Sequence, residues 1–335
     1  MSLRTYILSR VLMTIPMILL LLTIVFVVLR VLPGDPVVSL QGKNIPEEIL
    51  QAERHRLGLD KPIFVQYVDY LAKLLQGDFG ESYIGGESIA GQILHRLPAT
   101  IELAIASMIV AVVVGVLLGI QAAHRRDSLF DQGAKLYGMF IYSVPVFFLG
   151  LVLQVVFSKS LGWLPVAGRL DPLHAVDKVT GFILIDSLLA SNYEAFTDAL
   201  SRLVLPTVTL GLYLSGIFLR ISRVHMIETL REDFVTAARA RGLKERTVLY
   251  RYGFRNALIP TVTILGLQFA ALLAGAVLTE TTFSWPGIGL YLFQSIGFRD
   301  YNAIQGGIVV YALLVALTSL IVDVAYAWID PRIRY

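Results

Sequence analysis

The sequence predicts an all-α polytopic membrane protein with six transmembrane helices and a long extracytoplasmic segment after the first. Three observations predict it. Of 335 residues, 56% are hydrophobic and only 16% are charged, against ~25% charged in an ordinary soluble domain. The apolar residues are gathered into blocks of ~20, the length a helix rising 1.5 Å per residue needs to cross a ~30 Å hydrocarbon core. Alternate connections between the blocks are rich in Arg and Lys, the asymmetry that orients membrane proteins. This composition disfavours a soluble enzyme, a disordered chain and a nucleic-acid binder, and a net charge of +3 is too small to call for a polyanionic partner. There is no cysteine, hence no disulfide and no thiolate metal ligand.

The six blocks are residues 11–32, 99–123, 133–157, 203–221, 257–278 and 304–328. The first follows Arg4 and Arg10, a basic start shared with signal peptides. It is longer than their 7–15 apolar residues and ends in Arg30, Leu32 and "PGDP" (33–36) without a small-residue cleavage site, so it reads as an anchor. With the N-terminus inside, the inner pieces hold Arg4 and Arg10, then Arg125 and Arg126, then the basic loop 222–256, then Arg332 and Arg334. Both termini are therefore expected in the cytoplasm. Residues 1–32 form the N-terminus and first span, 33–98 the extracytoplasmic segment, and 99–335 a core of five spans with the cytoplasmic loop 222–256.

Residues 33–98 are too long for a simple connector. Asn44, Pro46, Glu47 and Glu48 form a helix start, and the helix runs to about Arg56 before Gly58. A second start lies at Asp60 and Pro62. Ile63, Tyr67, Tyr70, Leu71 and Leu74 then recur at helical spacing until Gly77. This amphipathic helix is expected to pack on a small domain of its own or to lie on the membrane surface; docking of an external partner is the functional alternative. In the second long outer piece, 158–202, residues 182–189 are apolar but interrupted by Asp186 and too short to span.

Several chemistries are missing. There is no phosphate-binding G-x-x-x-x-G-K-[ST], no G-x-G-x-x-G, no H-E-x-x-H and no G-x-S-x-G. The five histidines lie far apart in sequence. Carboxylates inside a membrane are rare and usually functional, and two qualify clearly, Glu102 in the first turns of the second span and Asp323 towards the inner third of the sixth, while Glu280 borders the outer end of the fifth. Glu102 is expected either to pair with Arg96 or to line a pathway. Small residues mark close helix contacts at Gly115 and Gly119 in the second span, and at Gly266, Ala270, Ala271, Ala274 and Gly275 in the fifth.

The loop 222–256 is the informative segment. Eight of its residues are Lys or Arg: Arg223, Arg231, Arg239, Arg241, Lys244, Arg246, Arg251 and Arg255. Val235 and Ala238 mark a short helix that Gly242 stops, and a helical pattern resumes at Thr247. A helix, a glycine turn and a second helix make a compact knob suited to a groove on a cytoplasmic partner.

"DFVTAARARGL" (233–243) followed by "FRNALIPTVT" (254–263) resembles the coupling loop of ATP-binding-cassette importer permeases, most closely the dipeptide/oligopeptide/nickel branch. The general motif is Glu-Ala-Ala, three residues, then Gly. Thr236 stands for the Glu here, while Ala237, Ala238 and Gly242 match. Asp233 or the neighbouring arginines are expected to serve where that Glu is missing. "LPGDP" (32–36), "LGLDKP" (57–62), "GDFGES" (77–82), "LPATIELA" (97–104), "TGFILID" (180–186), "LLAGAVLTETTFSWPGIG" (272–289), "RDYNAIQG" (299–306) and "DPRIR" (330–334) extend the resemblance, in order, to the first-permease type of peptide importers.

The resemblance implies a type I importer permease fold in the plasma membrane of a prokaryote. It implies a second homologous permease subunit and two cytoplasmic ATPase subunits that bind ATP and Mg. An extracytoplasmic substrate-binding protein and the lipid bilayer complete the partners, with no nucleic acid. The chain itself then has no cofactor, no metal and no catalytic residue. Asp233, Thr236, Ala237, Ala238, Arg239, Arg241 and Gly242 would transmit ATPase closure. Glu102, Glu280 and Trp285, the last in the re-entrant-looking "FSWPGIGLYLF" (283–293), are the candidate pathway or gate residues. The expected cargo is a dipeptide or oligopeptide, the same machinery carrying nickel or short oligosaccharides being the alternative. An ATP-independent secondary transporter is a different class, and it calls for the buried charge relays that this sequence lacks.

Overall fold

The computed structural model describes residues 3–31, 46–56 and 58–329. The motifs at 32–36 and 330–334 and the helix start at Asn44 lie outside them. In chain order the helices are α1 (Leu3–Val31), α2 (Glu47–Arg56), α3 (Ile63–Leu75), α4 (Ile89–His124) and α5 (Leu129–Ser143). Next come α6 (Val146–Leu153, continued by a π-helical Gln154–Ser160), α7 (Ile183–Leu189), α8 (Tyr193–Thr229) and α9 (Asp233–Ala240). The chain ends with α10 (Arg255–Gly275), α11 (Val277–Thr282), α12 (Ile288–Gly297) and α13 (Tyr301–Ile329). Glu245–Thr247 and a π-helical Val248–Phe254 lead into α10 without a break.

Among the described residues, four helices carry a stretch long and apolar enough to cross a membrane: α1 (Leu12–Leu29), α4, α8 and α13 (Tyr301–Ile321). The pair α5 and α6 passes the same test jointly but is bent by 101°, where the sequence reads one span over 133–157. Pro145 is the cause. It holds Val144 in extended backbone (φ −83°, ψ 126°) and opens α6 as its N-cap, because a residue before proline is pushed out of the α region. The expected fifth span falls on α10 and α11. The side chains of Ala270, Ala274 and Gly275, and that of Asp323 on α13, lie outside the described residues.

The two long helices α4 and α8, 36 and 37 residues, form the central seam. Both start ten residues before the spans read from sequence, at 89 rather than 99 and at 193 rather than 203. Ser88 caps the first by accepting from the Gly91 amide (3.4 Å) and Asn192 caps the second through the Ala195 amide (3.0 Å). Gly115 and Gly119 let the backbones meet. A Cβ on Gly115 would sit 2.5 Å from the Ser215 carbonyl oxygen, and one on Gly119 would sit 2.8 Å from that of Leu219. From the other side, Gly211 accepts the Val110 side chain. Helix α5 joins through Gly138, Gly216 and a Tyr137–Ser215 hydroxyl contact of 2.7 Å. Helix α13 packs against α10 and α1.

Candidate functional site

Two clusters form at the end of the bundle where α4 begins. In the first, the loop following α6 folds over the start of α4 and delivers Arg169. Its Nε and Nη2 donate to Glu102 Oε2 at 2.9 and 2.7 Å, and Nη2 also donates to the Gly181 carbonyl at 2.9 Å. Both side chains are buried, 7% exposed for Arg169 and 8% for Glu102. The partner is thus Arg169 and not Arg96, whose guanidinium lies over the Tyr291 ring at 5.0 Å. Arg169 is separated by 67 positions from Glu102, beyond any spacing rule.

Glu280, on α11, is fully buried against the same stretch of α4. It accepts from Thr100 Oγ1 (2.8 Å) and from the Leu290 amide (2.9 Å), while Thr100 Oγ1 accepts from the Ile288 amide (2.9 Å). One carboxylate and one hydroxyl therefore satisfy the orphan amides that open α12. Gly289 makes the approach possible, since a Cβ there would lie 2.9 Å from Glu280 Oε2 and 2.8 Å from Val277 Cα. Trp285, also fully buried, donates Nε1–H to the Ala99 carbonyl at 2.8 Å. Arg169 sits 5.8 Å from its ring centroid. Glu102, Glu280 and Trp285, read separately from sequence, converge on residues 99–103 of α4. Asp186 locks the covering loop by accepting from the Thr180 amide and hydroxyl and from the Gly181 amide at 2.7–2.9 Å.

The second cluster joins "GDFGES" to "RDYNAIQG". Asp300 is buried and caps α13 through the Ala303 amide (3.0 Å). Its other oxygen accepts from Ser82 Oγ (2.5 Å) and the Tyr83 amide (3.0 Å). Asn302 Nδ2 adds a bond to the Glu81 carbonyl at 3.1 Å.

At the opposite end, α9 stands away from the bundle on two buried residues. Val235 and Ala238 pack against Val248, Leu230 and Tyr252. Asp233, Thr236, Ala237, Arg239, Arg241 and Gly242 are exposed. Gly242 turns the chain with φ +73°, the left-handed conformation that side chains resist. Arg239 then clamps the turn by donating to Glu245 (2.8 Å). The Arg239 guanidinium holds the Glu245 carboxyl below its ordinary value, and Glu245 in turn raises Arg239. Sequence reading missed the supports behind this knob. Gln121, near the end of α4, donates to the Tyr250 hydroxyl (3.1 Å), and Gly253 lies against Leu230 and Met226. Nearby, buried Asp131 accepts from Arg223 (2.5 and 2.8 Å) and pairs with Lys135 (2.9 Å). Only its i,i+4 spacing to Lys135 was visible beforehand. A groove of 740 Å³ runs between α5 and α8 beside this cluster, lined by Met139, Tyr142, Ile217 and Arg220 among others. Among the described residues no three His, Asp or Glu side chains gather as a metal site.

Residues 115–335 match the family model described as binding-protein-dependent transport system inner membrane component. Residues 3–104 match the model of its N-terminal part. The chain is 47% identical to the di/tripeptide transport system permease protein of Pseudomonas aeruginosa (strain UCBPP-PA14), over 92% of this chain and 93% of that one. It is 37% identical to the dipeptide transport system permease protein of Escherichia coli (strain K12), over 98% of each. It is 36% identical to the glutathione transport system permease protein of Salmonella choleraesuis (strain SC-B67), over 98% and 99%.

Proposed function

The chain belongs to the family of inner membrane components of binding-protein-dependent transport systems, and from that premise we propose that it carries di- and tripeptides inward as one of two permease subunits. It is a permease and not an enzyme, so the energy comes from outside the chain. The peptide cargo is supported by the names of its relatives, most directly the di/tripeptide permease at 47% identity. In this reading the protein crosses the plasma membrane six times, with both termini and α9 in the cytoplasm. The start of α4 faces the binding protein, and two ATPase subunits that bind ATP and Mg lie beneath α9.

The observation that carries the mechanism is the seating of α9. A partner that grips Asp233, Thr236, Ala237, Arg239 and Arg241 pushes on Val235 and Ala238. These press Val248 at the head of the continuous run into α10 and Leu230 at the foot of α8. ATP binding need only hold the gripping surface in one arrangement to favour one arrangement of the spans, because coupling is a difference in contact energy between two states.

Replacing Gly242 with valine tests this. Open space surrounds the position, so the cost is conformational, ~1–2 kcal/mol for a side chain at positive φ. In vesicles carrying the whole complex, peptide uptake should fall at least tenfold while ATP hydrolysis continues. Unchanged uptake would remove the coupling role from this turn.

A further inference from the structure

Beside the half-buried Tyr67, Tyr70 and Leu74, the amphipathic helix α3 carries a second apolar stripe. At 100° per residue, Phe64, Val68, Leu71 and Leu75 fall within about 60° of one another. None of them is buried; Phe64 is 73% exposed and Leu75 90%. The charged residues of the helix are also exposed, Asp69 at 49%. Gln66, Asp69 and Lys73 border an open cleft of 230 Å³ together with Asp78, Tyr83 and Gln305. There Gln66 Nε2 donates to the Lys61 carbonyl at 2.7 Å, and Lys61 pairs with Asp69 at 2.8 Å. A surface helix in water buries its apolar stripe and shows its charges, and soluble surfaces avoid contiguous apolar patches of this kind.

The third face fixes the depth. Tyr67 hydroxyl meets Thr23 Oγ1 at 2.6 Å, and the Phe26 ring lies 5.2 Å from that of Tyr67 and 5.8 Å from that of Tyr70. Thr23 and Phe26 belong to the apolar stretch Leu12–Leu29 of α1. Leu29, at its end, packs on Tyr301 and Ile304 in the first turn of α13. Thr23 lies six residues before Leu29, ~9 Å along a helix rising 1.5 Å per residue. A helix bonded at that level is below the membrane surface on the side where α13 begins.

From this geometry we infer that α3 is sunk into the leaflet at that end, with Phe64, Val68, Leu71 and Leu75 against lipid acyl chains. Burying an apolar stripe at the acyl boundary is how interfacial helices bind membranes. Here it anchors the segment between the first two spans from below, and leaves the surface above the membrane to α2 and the 77–88 turn. The inference rests on α1 as a span and is independent of the cargo.

The chain has no cysteine, so single sites can be spin-labelled against the unsubstituted complex as background. The test uses Phe64→Cys, Val68→Cys, Leu75→Cys and, on the solvated side, Lys61→Cys in the complete complex reconstituted in phosphatidylcholine vesicles. Labels at 64, 68 and 75 should collide with oxygen several-fold more than with a water-soluble nickel chelate, and the label at 61 should show the reverse. Leu75, exposed at the helix end, keeps the test open if Phe64→Cys does not assemble. Chelate access at 64 and 75 equal to that at 61 would place the face in water. Exclusion of both reagents would mean a protein partner covers it. Either result overturns the inference.

Discussion

Removing the negative charge of Glu102 should destabilise the assembly, and removing both charges should restore it. Arg169 makes three hydrogen bonds, two of them to Glu102 and the third to the Gly181 carbonyl. In Glu102→Gln the guanidinium, 7% exposed, keeps only that carbonyl, a neutral amide and the Trp285 ring it lies over. Breaking a buried pair from one side costs ~3–5 kcal/mol because the remaining charge is uncompensated, whereas replacing both members with apolar residues of similar volume is often neutral or stabilising. The three variants are Glu102→Gln, Arg169→Met and Glu102→Leu with Arg169→Met. Heating the purified complex and following the surviving assembled fraction by size-exclusion chromatography gives the order. Both single variants should lose the assembled form several degrees below the parent, with the double within a degree or two of it. A double variant no better than the worse single would refute the account of the pair as a clasp held mainly by its two opposite charges, the Leu184 amide on Glu102 and the Gly181 carbonyl on Arg169 being its lesser bonds. Peptide uptake adds a second reading. A clasp recovers transport in the double variant, whereas a Glu102 that touches the cargo leaves a stable complex that does not transport.

The glycine seam gives a graded set. Gly115→Ala and Gly119→Ala meet backbone atoms at 2.5 and 2.8 Å and should each cost ~1–3 kcal/mol by overpacking. Gly133→Ala, with open space around it, should be neutral or slightly stabilising from helix propensity in the same heating assay. The Arg239–Glu245 clamp should depend on pH. The carboxyl of Glu245 is held below its ordinary value in the folded chain, so its contribution is complete above the unfolded pKa and is lost as pH falls through the folded one. Amide protection over 239–247, corrected for intrinsic rates, should weaken in that acidic window in the parent and show no such step in Glu245→Gln. Asp300→Ala removes an acceptor from Ser82, Tyr83 and Ala303. At ~1–3 kcal/mol per buried group left unsatisfied, it should release the 77–88 turn to limited proteolysis while α4 and α8 stay protected.

The parts legible in the sequence were those governed by period and length. The spans at 99–123 and 203–221 lie inside α4 and α8, and Gly115 and Gly119 sit at the closest helix approach, because both follow from hydrocarbon thickness and steric size. Helix α9 was legible down to its stop at Gly242 because a positive φ leaves few residue choices. The 101° bend was not read, although Pro145 was in view, since a proline inside an apolar run is compatible with a kinked span as well as a broken one. The ten-residue extensions of α4 and α8 were missed because stretches such as "IAGQILHRL" carry too many polar residues to read as span. Arg169 for Glu102, Thr100 for Glu280 and Arg223 for Asp131 were out of reach. Each pair is separated by 67 or more positions, and only the fold makes them neighbours.

These distant pairs differ from the coupling loop in what they grip. Thr100, Glu280 and Trp285 bond largely to backbone amides and carbonyls of α4 and α12, which fixes one helix against another without demanding a particular cargo. One of these helices, α4, is itself joined to α8 at Gly115 and Gly119, where backbones touch and sliding is blocked. On α4, Thr100 and Gln121 are 21 residues apart, ~32 Å at 1.5 Å per residue, so the bond from Gln121 to Tyr250 lies at one end of a stiff member and the clasp at the other. Packed interiors respond to force by choosing between discrete arrangements, not by yielding continuously. Under the proposed coupling, a push on α9 would reach the far cluster as a tilt of the α4–α8 pair, and the clasp would either ride with the pair or let go. Its bonds are numerous and buried, which favours riding.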